Sequence, residues 1–169
     1  MEYLMKNLKG RAVTLVVGLI FGGFIFAIGN GPTEEDFRLA NEANTLAGEK
    51  FLASNTTKAN IITTASGLQY EVLVKGEGPS PVATSKVTVH YRGTTLEGEE
   101  FDSSYERDTP TTFPLNHVIP GWTEGVQLMN VGAKYRFFIP SDLAYGEQGA
   151  GSDIAPNSTL IFEIELLSF

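Results

Sequence analysis

The stretch TLIFEIELL, Thr159 to Leu167, constrains this chain more than any other nine residues. Leu160, Phe162, Ile164 and Leu166 fall on every second position, with Glu163 and Glu165 between them. A repeat of two is the geometry of a strand whose side chains alternate between two faces, one of them buried. The same rhythm begins at Ser66 and recurs. LQYEVLV (68–74) alternates, and GEGPSP then turns the chain. KVTVHYRG (86–93) puts Val87, Val89 and Tyr91 on one face. LEGEEFDSS holds a Glu-Gly hairpin turn and returns as a strand around Phe101. TTFPL (111–115) is a short strand that Pro114 confines to an edge or a strand end. KYRFFIP (134–140) completes the set. One helix interrupts it, Trp122 to Met129, with Trp122, Val126 and Met129 on a shared face and Gly132 closing it. Short strands and one short helix imply an α+β fold, an antiparallel sheet wrapped over that helix. No internal repeat is visible.

The first 29 residues follow other rules. Lys6, Lys9 and Arg11 precede an apolar run from Ala12 to Ile28, broken by Thr14 and by glycines. A helix of that length spans about 25 Å against a hydrocarbon core of ~30 Å. Two readings stay open. One is an uncleaved anchor in a bacterial inner membrane, with its basic flank cytoplasmic and the rest of the chain in the periplasm. The other is a signal cleaved near Ala27-Ile28-Gly29, which would leave a soluble periplasmic or secreted protein. Gly18 and Gly22 have the spacing that lets two membrane helices pair, although small residues are common in such segments.

Residues 30–65 read as a linker. Thr33 and Asp36 can form a capping box, and Glu34, Glu35 and Asp36 suit a helix N-terminus. A helix is expected over about 34–54. Its face of Phe37, Ala40, Asn44, Ala47 and Phe51 is only patchily apolar, so the alternatives are a helical spacer and a loosely ordered stalk. Ser54 to Ala65 is polar and reads as extended.

Charge and composition exclude several functions. Net charge is −8, and only one of the 20 acidic residues but three of the 12 basic ones precede Asn30. Such a surface repels phosphate backbones, so nucleic acid is not an expected partner. There is no cysteine, hence no disulfide, thiolate nucleophile or Cys-based zinc site. His90 and His117 stand apart, and no metal or other cofactor is expected. No phosphate loop or Ser-His-Asp pattern is present.

The only tryptophan stands in VIPGWTEG, directly behind a Pro-Gly turn. A Trp there is costly to hide unless its ring lines something, and its indole N–H wants a partner when buried. VHYRG, FDSS, VIPGWTEGVQLMNVG, IPSDLAYG and NSTLIFEIELL together, in order and spacing, resemble the FKBP-type peptidyl-prolyl cis-trans isomerases over about residues 66–169. SGLQYEVL, after a helix ending AGEKFLASN, is similar to the bacterial subgroup of macrophage infectivity potentiator-like proteins. The resemblance implies a five- to six-stranded half-barrel around one short helix. It implies a pocket walled by Tyr91, Phe101, Phe113, Val118, Ile154 and Phe162, with Trp122 as its floor. The Ile119 N–H and the Tyr145 hydroxyl would donate to substrate carbonyls, and Asp102 would hold the polar network near the twisting bond. Thr111 stands where many eukaryotic members place an aromatic, and Ala150 where some carry a His.

Taken singly, each of these aromatics is more often core than pocket. In this order they imply an enzyme that isomerises X-Pro bonds in proline-containing segments of client proteins, with tacrolimus- or rapamycin-like macrolides as further ligands. The alternative is a membrane-tethered chaperone or scaffold that holds such segments without turnover.

Overall fold

The computed structural model describes residues 33–169. The apolar run Ala12–Ile28 and its glycine pair lie outside the described residues. Thr33 caps helix α1 (Glu34–Asn55). Its hydroxyl accepts from the Asp36 N–H at 3.2 Å, and the Asp36 carboxylate accepts from the Thr33 N–H at 2.8 Å. Two orphan donors are thus satisfied reciprocally, and three acidic residues sit in the first turn where the helix dipole favours them. Among the described residues no helix is long and apolar enough to cross a membrane.

α1 does not stand clear of the domain. Gly48 lies so close to Thr159 that a Cβ there would meet Thr159 Oγ1 at 2.3 Å. Asn44 Nδ2 donates to the Pro156 carbonyl at 2.8 Å, and the Phe51 and Phe138 rings lie 5.7 Å apart. At its end, buried Asn55 donates to Gln69 Oε1 at 2.9 Å, and Gln69 Nε2 donates to the Leu52 carbonyl at 3.0 Å. Asn44, Gly48, Phe51 and Asn55 share one face at helical spacing, a face built from small, amide and aromatic groups rather than from an aliphatic stripe.

The strands are β1 (Ile62–Thr63), β2 (Gln69–Val74), β3 (Lys86–Thr94), β4 (Glu100–Ser103), β5 (Thr111–Pro114), β6 (Lys134–Ile139) and β7 (Leu160–Ser168). They form one antiparallel sheet in the order β1-β2-β6-β7-β3-β4, with β5 also on β3. The seventh strand is the two-residue β1; the rest of the segment read as extended is not, since Ser54 and Asn55 belong to α1 and residues 56–60 turn. β4 and β5 share one edge of β3: Arg92–Thr94 face β4 and Lys86–Val89 face β5. Pro114 ends its strand, where a missing N–H costs no ladder bond.

Helix α2 (Pro120–Gln127) lies against the inner face. It begins two residues before Trp122, because Pro at the first helical position loses only an N–H that has no intrahelical partner. Met129 falls just past its end yet is fully buried beside Val126. Val87, Val89 and Tyr91 from β3 and Leu160, Phe162, Ile164 and Leu166 from β7 face this helix, as the alternation requires. Phe137 of β6, 1% exposed, packs against the Tyr70 and Tyr135 rings. Phe137→Ala should lower stability by about 3–5 kcal/mol. Urea unfolding followed by far-UV circular dichroism should show an earlier midpoint, and an unchanged midpoint would contradict this packing.

Candidate active site

β3, β4, β5, α2, β7 and the loop after β6 converge on one cavity of about 780 Å³. β3 supplies Tyr91, β4 supplies Phe101 and Asp102, and β5 supplies Phe113. A 3₁₀ turn over Leu115–His117 then bends the chain, so Val118 and Ile119 enter the wall just before α2. Trp122 comes from the first turn of α2, Phe162 from β7, and Tyr145 and Ile154 from the long loop between β6 and β7. All ten residues singled out from the sequence line this cavity. Thr111 and Ala150 line it too, joined by His117, Gly151 and Asp153.

The indole is the hub. Tyr91 meets it edge-on at 5.1 Å and 81°, Phe162 at 5.2 Å and 90°, and Phe113 tilts toward it at 5.5 Å. Phe101 packs edge-on to Phe162 at 5.4 Å. Edge-to-face contacts set positive ring edges against negative faces, and each adds roughly 0.5–1.5 kcal/mol beyond burial. Trp122 is 6% exposed, so the ring is mostly packed and turns a small part of its surface to the cavity. Its N–H finds no hydrogen-bond partner among the described residues, against the expectation for a buried indole.

Gly93 makes this cluster possible. A Cβ there would lie 2.6 Å from Phe162 Cε1 and 2.7 Å from Phe101 Cζ. Sequence reasoning passed over it, although a glycine inside the strand VHYRG is the ordinary sign of a close approach.

Arg107 was also missed. Ser104 and Asp108 reverse the chain beyond β4 through the bonds Thr109 N–H to Ser104 O at 3.2 Å and Asp108 N–H to Tyr105 O at 3.0 Å. This turn brings the guanidinium back over the site. Tyr91 Oη donates to Asp102 Oδ2 at 2.5 Å, Arg107 Nη1 to Asp102 Oδ1 at 2.6 Å, and Arg107 Nη2 to Tyr91 Oη at 2.8 Å. The guanidinium also lies 5.7 Å from the Tyr91 ring centre. Nothing in the local pattern marks this loop arginine, because its role depends on a tertiary turn.

The trio sets the charges. Burial pushes the Asp102 carboxyl upward, but hydrogen bonds from Tyr91 and Arg107 outweigh it and hold it below the ordinary carboxylate range. The Tyr91 hydroxyl is raised, first by burial and then by its bond to Asp102. Burial and the Asp102 charge likewise raise Tyr145. The Asp102–Arg107 pair is half exposed, so it orients the carboxylate more than it stabilises the fold. On the same cavity, the Tyr145 hydroxyl and the Ile119 N–H have no acceptor among the described residues.

A family model described as FKBP-type peptidyl-prolyl cis-trans isomerase matches residues 78–167. The chain belongs to this family. A second model, the domain amino terminal to FKBP-type peptidyl-prolyl isomerase, matches residues 32–72, which hold α1 and the start of the sheet. The chain is 58% identical over 125 residues to the FKBP-type peptidyl-prolyl cis-trans isomerase FkpA of Aeromonas hydrophila, covering 74% of this chain and 46% of that one. It is 44% identical over 133 residues to the outer membrane protein MIP of Legionella longbeachae, covering 79% and 57%. The chain therefore spans about half the length of the curated relatives it matches. The crystal structure of FkpA from Escherichia coli superposes with a TM-score of 0.77 at 38% identity, covering 80% of this chain and 63% of that one. The family's fold is thus the observed one: an antiparallel sheet around a short helix.

Two measurements probe this geometry. Asp102 remains ionised and both tyrosines protonated through neutral pH, so any turnover here should vary little between about pH 6 and 9. A bell centred in that range would show a titrating acid or base at work. Gly93→Ala should displace the Phe162 and Phe101 rings at a cost of about 1–3 kcal/mol. Near-UV circular dichroism, which reports the packing of Trp122 and of the tyrosines, should change while the far-UV spectrum stays. Identical near-UV spectra would show that the rings tolerate the methyl group.

Proposed function

We propose that the chain is a peptidyl-prolyl cis-trans isomerase, with residues 66–169 as the isomerase domain and Tyr91, Phe101, Asp102, Phe113, Val118, Ile119, Trp122, Tyr145, Ile154 and Phe162 as its site. The observation that carries this reading is the pairing of an open aromatic cup with two unengaged donors, the Tyr145 hydroxyl and the Ile119 N–H, beside a fixed carboxylate.

Rotation about an amide faces a barrier of about 18–20 kcal/mol, because conjugation holds it planar. An X-Pro bond populates both isomers but exchanges in roughly tens to hundreds of seconds. The transition state is a twisted amide, and no covalent bond forms or breaks on the way. The enzyme needs only to favour twisted over planar. The rings around Trp122 take the proline ring and shut water away from the carbonyl oxygen, which removes hydrogen bonds that favour the planar form. Ile119 and Tyr145 then hold neighbouring substrate carbonyls. The Asp102 carboxylate, fixed by Tyr91 and Arg107, faces the rotating group and supplies a constant field rather than a proton. The same cup suits tacrolimus- or rapamycin-like macrolides.

For location we infer the bacterial envelope, held by residues 12–28 as an inner-membrane anchor or reached by their cleavage. The basic residues before that apolar run support this, and so does the likeness to a relative named as an outer membrane protein.

A protease-free assay on a short X-Pro peptide tests the activity. Asp102→Ala should cut kcat/KM by about tenfold or more, the scale of a lost hydrogen bond to a charged group at ~1.5–3 kcal/mol. Tyr145→Phe should cost about two- to tenfold. Peptide binding without any acceleration by the wild-type chain would replace the enzyme with a holding module.

A further inference from the structure

Residues 146–158, in the long connection between β6 and β7, give the prolyl cavity Ala150, Gly151, Asp153 and Ile154, and Tyr145 stands at their root. This loop is knit to itself. The Asn157 N–H donates to the Gly146 carbonyl at 2.8 Å and closes its neck. Ala150 and Ile154 exchange both backbone hydrogen bonds, at 2.8 and 3.1 Å, across its tip. Gly149, at φ +61°, brings the Ile154 carbonyl to 2.3 Å from where a Cβ would stand. The Ser158 hydroxyl donates to the Ala155 carbonyl at 2.7 Å, and the Ser152 hydroxyl to Asp153 Oδ1 at 2.8 Å. Such bonds fix the shape of the loop. They do not fix where that shape sits.

Its seat comes from two contacts of different kinds. Ile154 is buried against the core, an apolar contact without direction. The directional one is made by α1: Asn44 Nδ2 donates to the Pro156 carbonyl at 2.8 Å. A carbonyl only accepts, so the amide nitrogen must face it. Among the described residues every other hydrogen bond of residues 146–158 stays inside the loop. α1 also runs beside the loop on both sides of this bond. One turn later, Gly48 is seated on Thr159 where the loop ends. About one turn earlier, Asn41 shares a cavity of about 520 Å³ with Glu147 and Asn157 from the neck. The polar tether therefore lies two residues from Ile154, a wall of the site, although Asn44 itself does not line that cavity.

We propose that Asn44 is a positioning residue of the isomerase site, through which α1 holds the loop 146–158 in its substrate-ready place before a client arrives. The proposal rests on the prolyl reading above and deepens it: the helix outside the isomerase domain sets the geometry of one wall. A loop already in place has less freedom to lose when the peptide binds. Once the peptide is seated, the same wall meets it in either case. The effect therefore belongs in KM and not in kcat.

The experiment compares the full chain with Asn44→Ala, Asn44→Asp and Phe51→Leu. Neither replacement of Asn44 can donate to Pro156. Ala is also the better helix former, and Asp keeps the shape of the side chain, so neither undoes α1 itself. Phe51→Leu loosens the same helix against Phe138 without touching the loop. Amide exchange at Ala150, Ile154 and Asn157 is read by NMR, and a short X-Pro peptide is followed without protease. Both Asn44 variants should exchange those three amides about two- to tenfold faster and raise KM by about the same factor, with kcat and the far-UV spectrum unchanged. Phe51→Leu should lower the urea midpoint and leave loop exchange and KM as they are. Wild-type exchange at the loop in the Asn44 variants overturns the brace. So does faster exchange with unchanged KM, which would free the site from the loop's position. An equal rise of KM in Phe51→Leu also overturns it, by assigning the effect to the stability of the docked helix. If the wild-type chain never accelerates the peptide, the prolyl reading fails, and the exchange comparison still decides whether Asn44 holds the loop.

Discussion

Gly93 sits directly opposite Phe162 where β3 and β7 pair, and the side chain missing from one strand is the room taken by the ring of the other. Two residues away, Tyr91 faces Ile164 in the same register. A slip of β7 by one position would send Phe162 and Ile164 to the outer face and leave Glu163 pointing at α2. The register is held because β7 is buried on one side and charged on the other. The site is therefore a consequence of strand pairing in the centre of the sheet, and the loops only finish its walls.

Around this apolar hub the polar groups divide into those already engaged and those left open. Tyr91, Asp102 and Arg107 satisfy one another in a closed triangle. The Tyr145 hydroxyl and the Ile119 N–H are donors with no acceptor among the described residues. On the outer face of the sheet the charges are also spent internally: Arg136 bridges Glu71 and Glu163, and Lys134 joins Glu163 at 3.3 Å.

The parts of the fold that were legible in the sequence are those in which a local period matches a buried face. The alternation of β3 and β7 and the capping box of Thr33 appear as the residues predicted. β1 was not legible, since two residues have no period. The docking of α1 was hidden for a different reason. Its contact face is made of Asn44, Gly48, Phe51 and Asn55, which score poorly as a hydrophobic stripe but fit a surface of backbone carbonyls and one ring. In the site, the aromatics were found as a constellation in sequence order. Arg107 and Gly93 were not, the first because a turn delivers it and the second because its contribution is an absence of atoms.

The amide chain at the end of α1 has a mechanical meaning. The Leu52 carbonyl can only accept, so Gln69 must donate to it with its nitrogen and accept from Asn55 with its oxygen. The polarity of the pair is thereby set, and the Asn55 nitrogen is committed inward while buried under the helix. Peeling the helix away would break both of these hydrogen bonds and part the Phe51 and Phe138 rings in the same step. Helix and sheet should therefore melt as one cooperative unit, and hydrogen exchange at the last turn of α1 should report the stability of the whole domain.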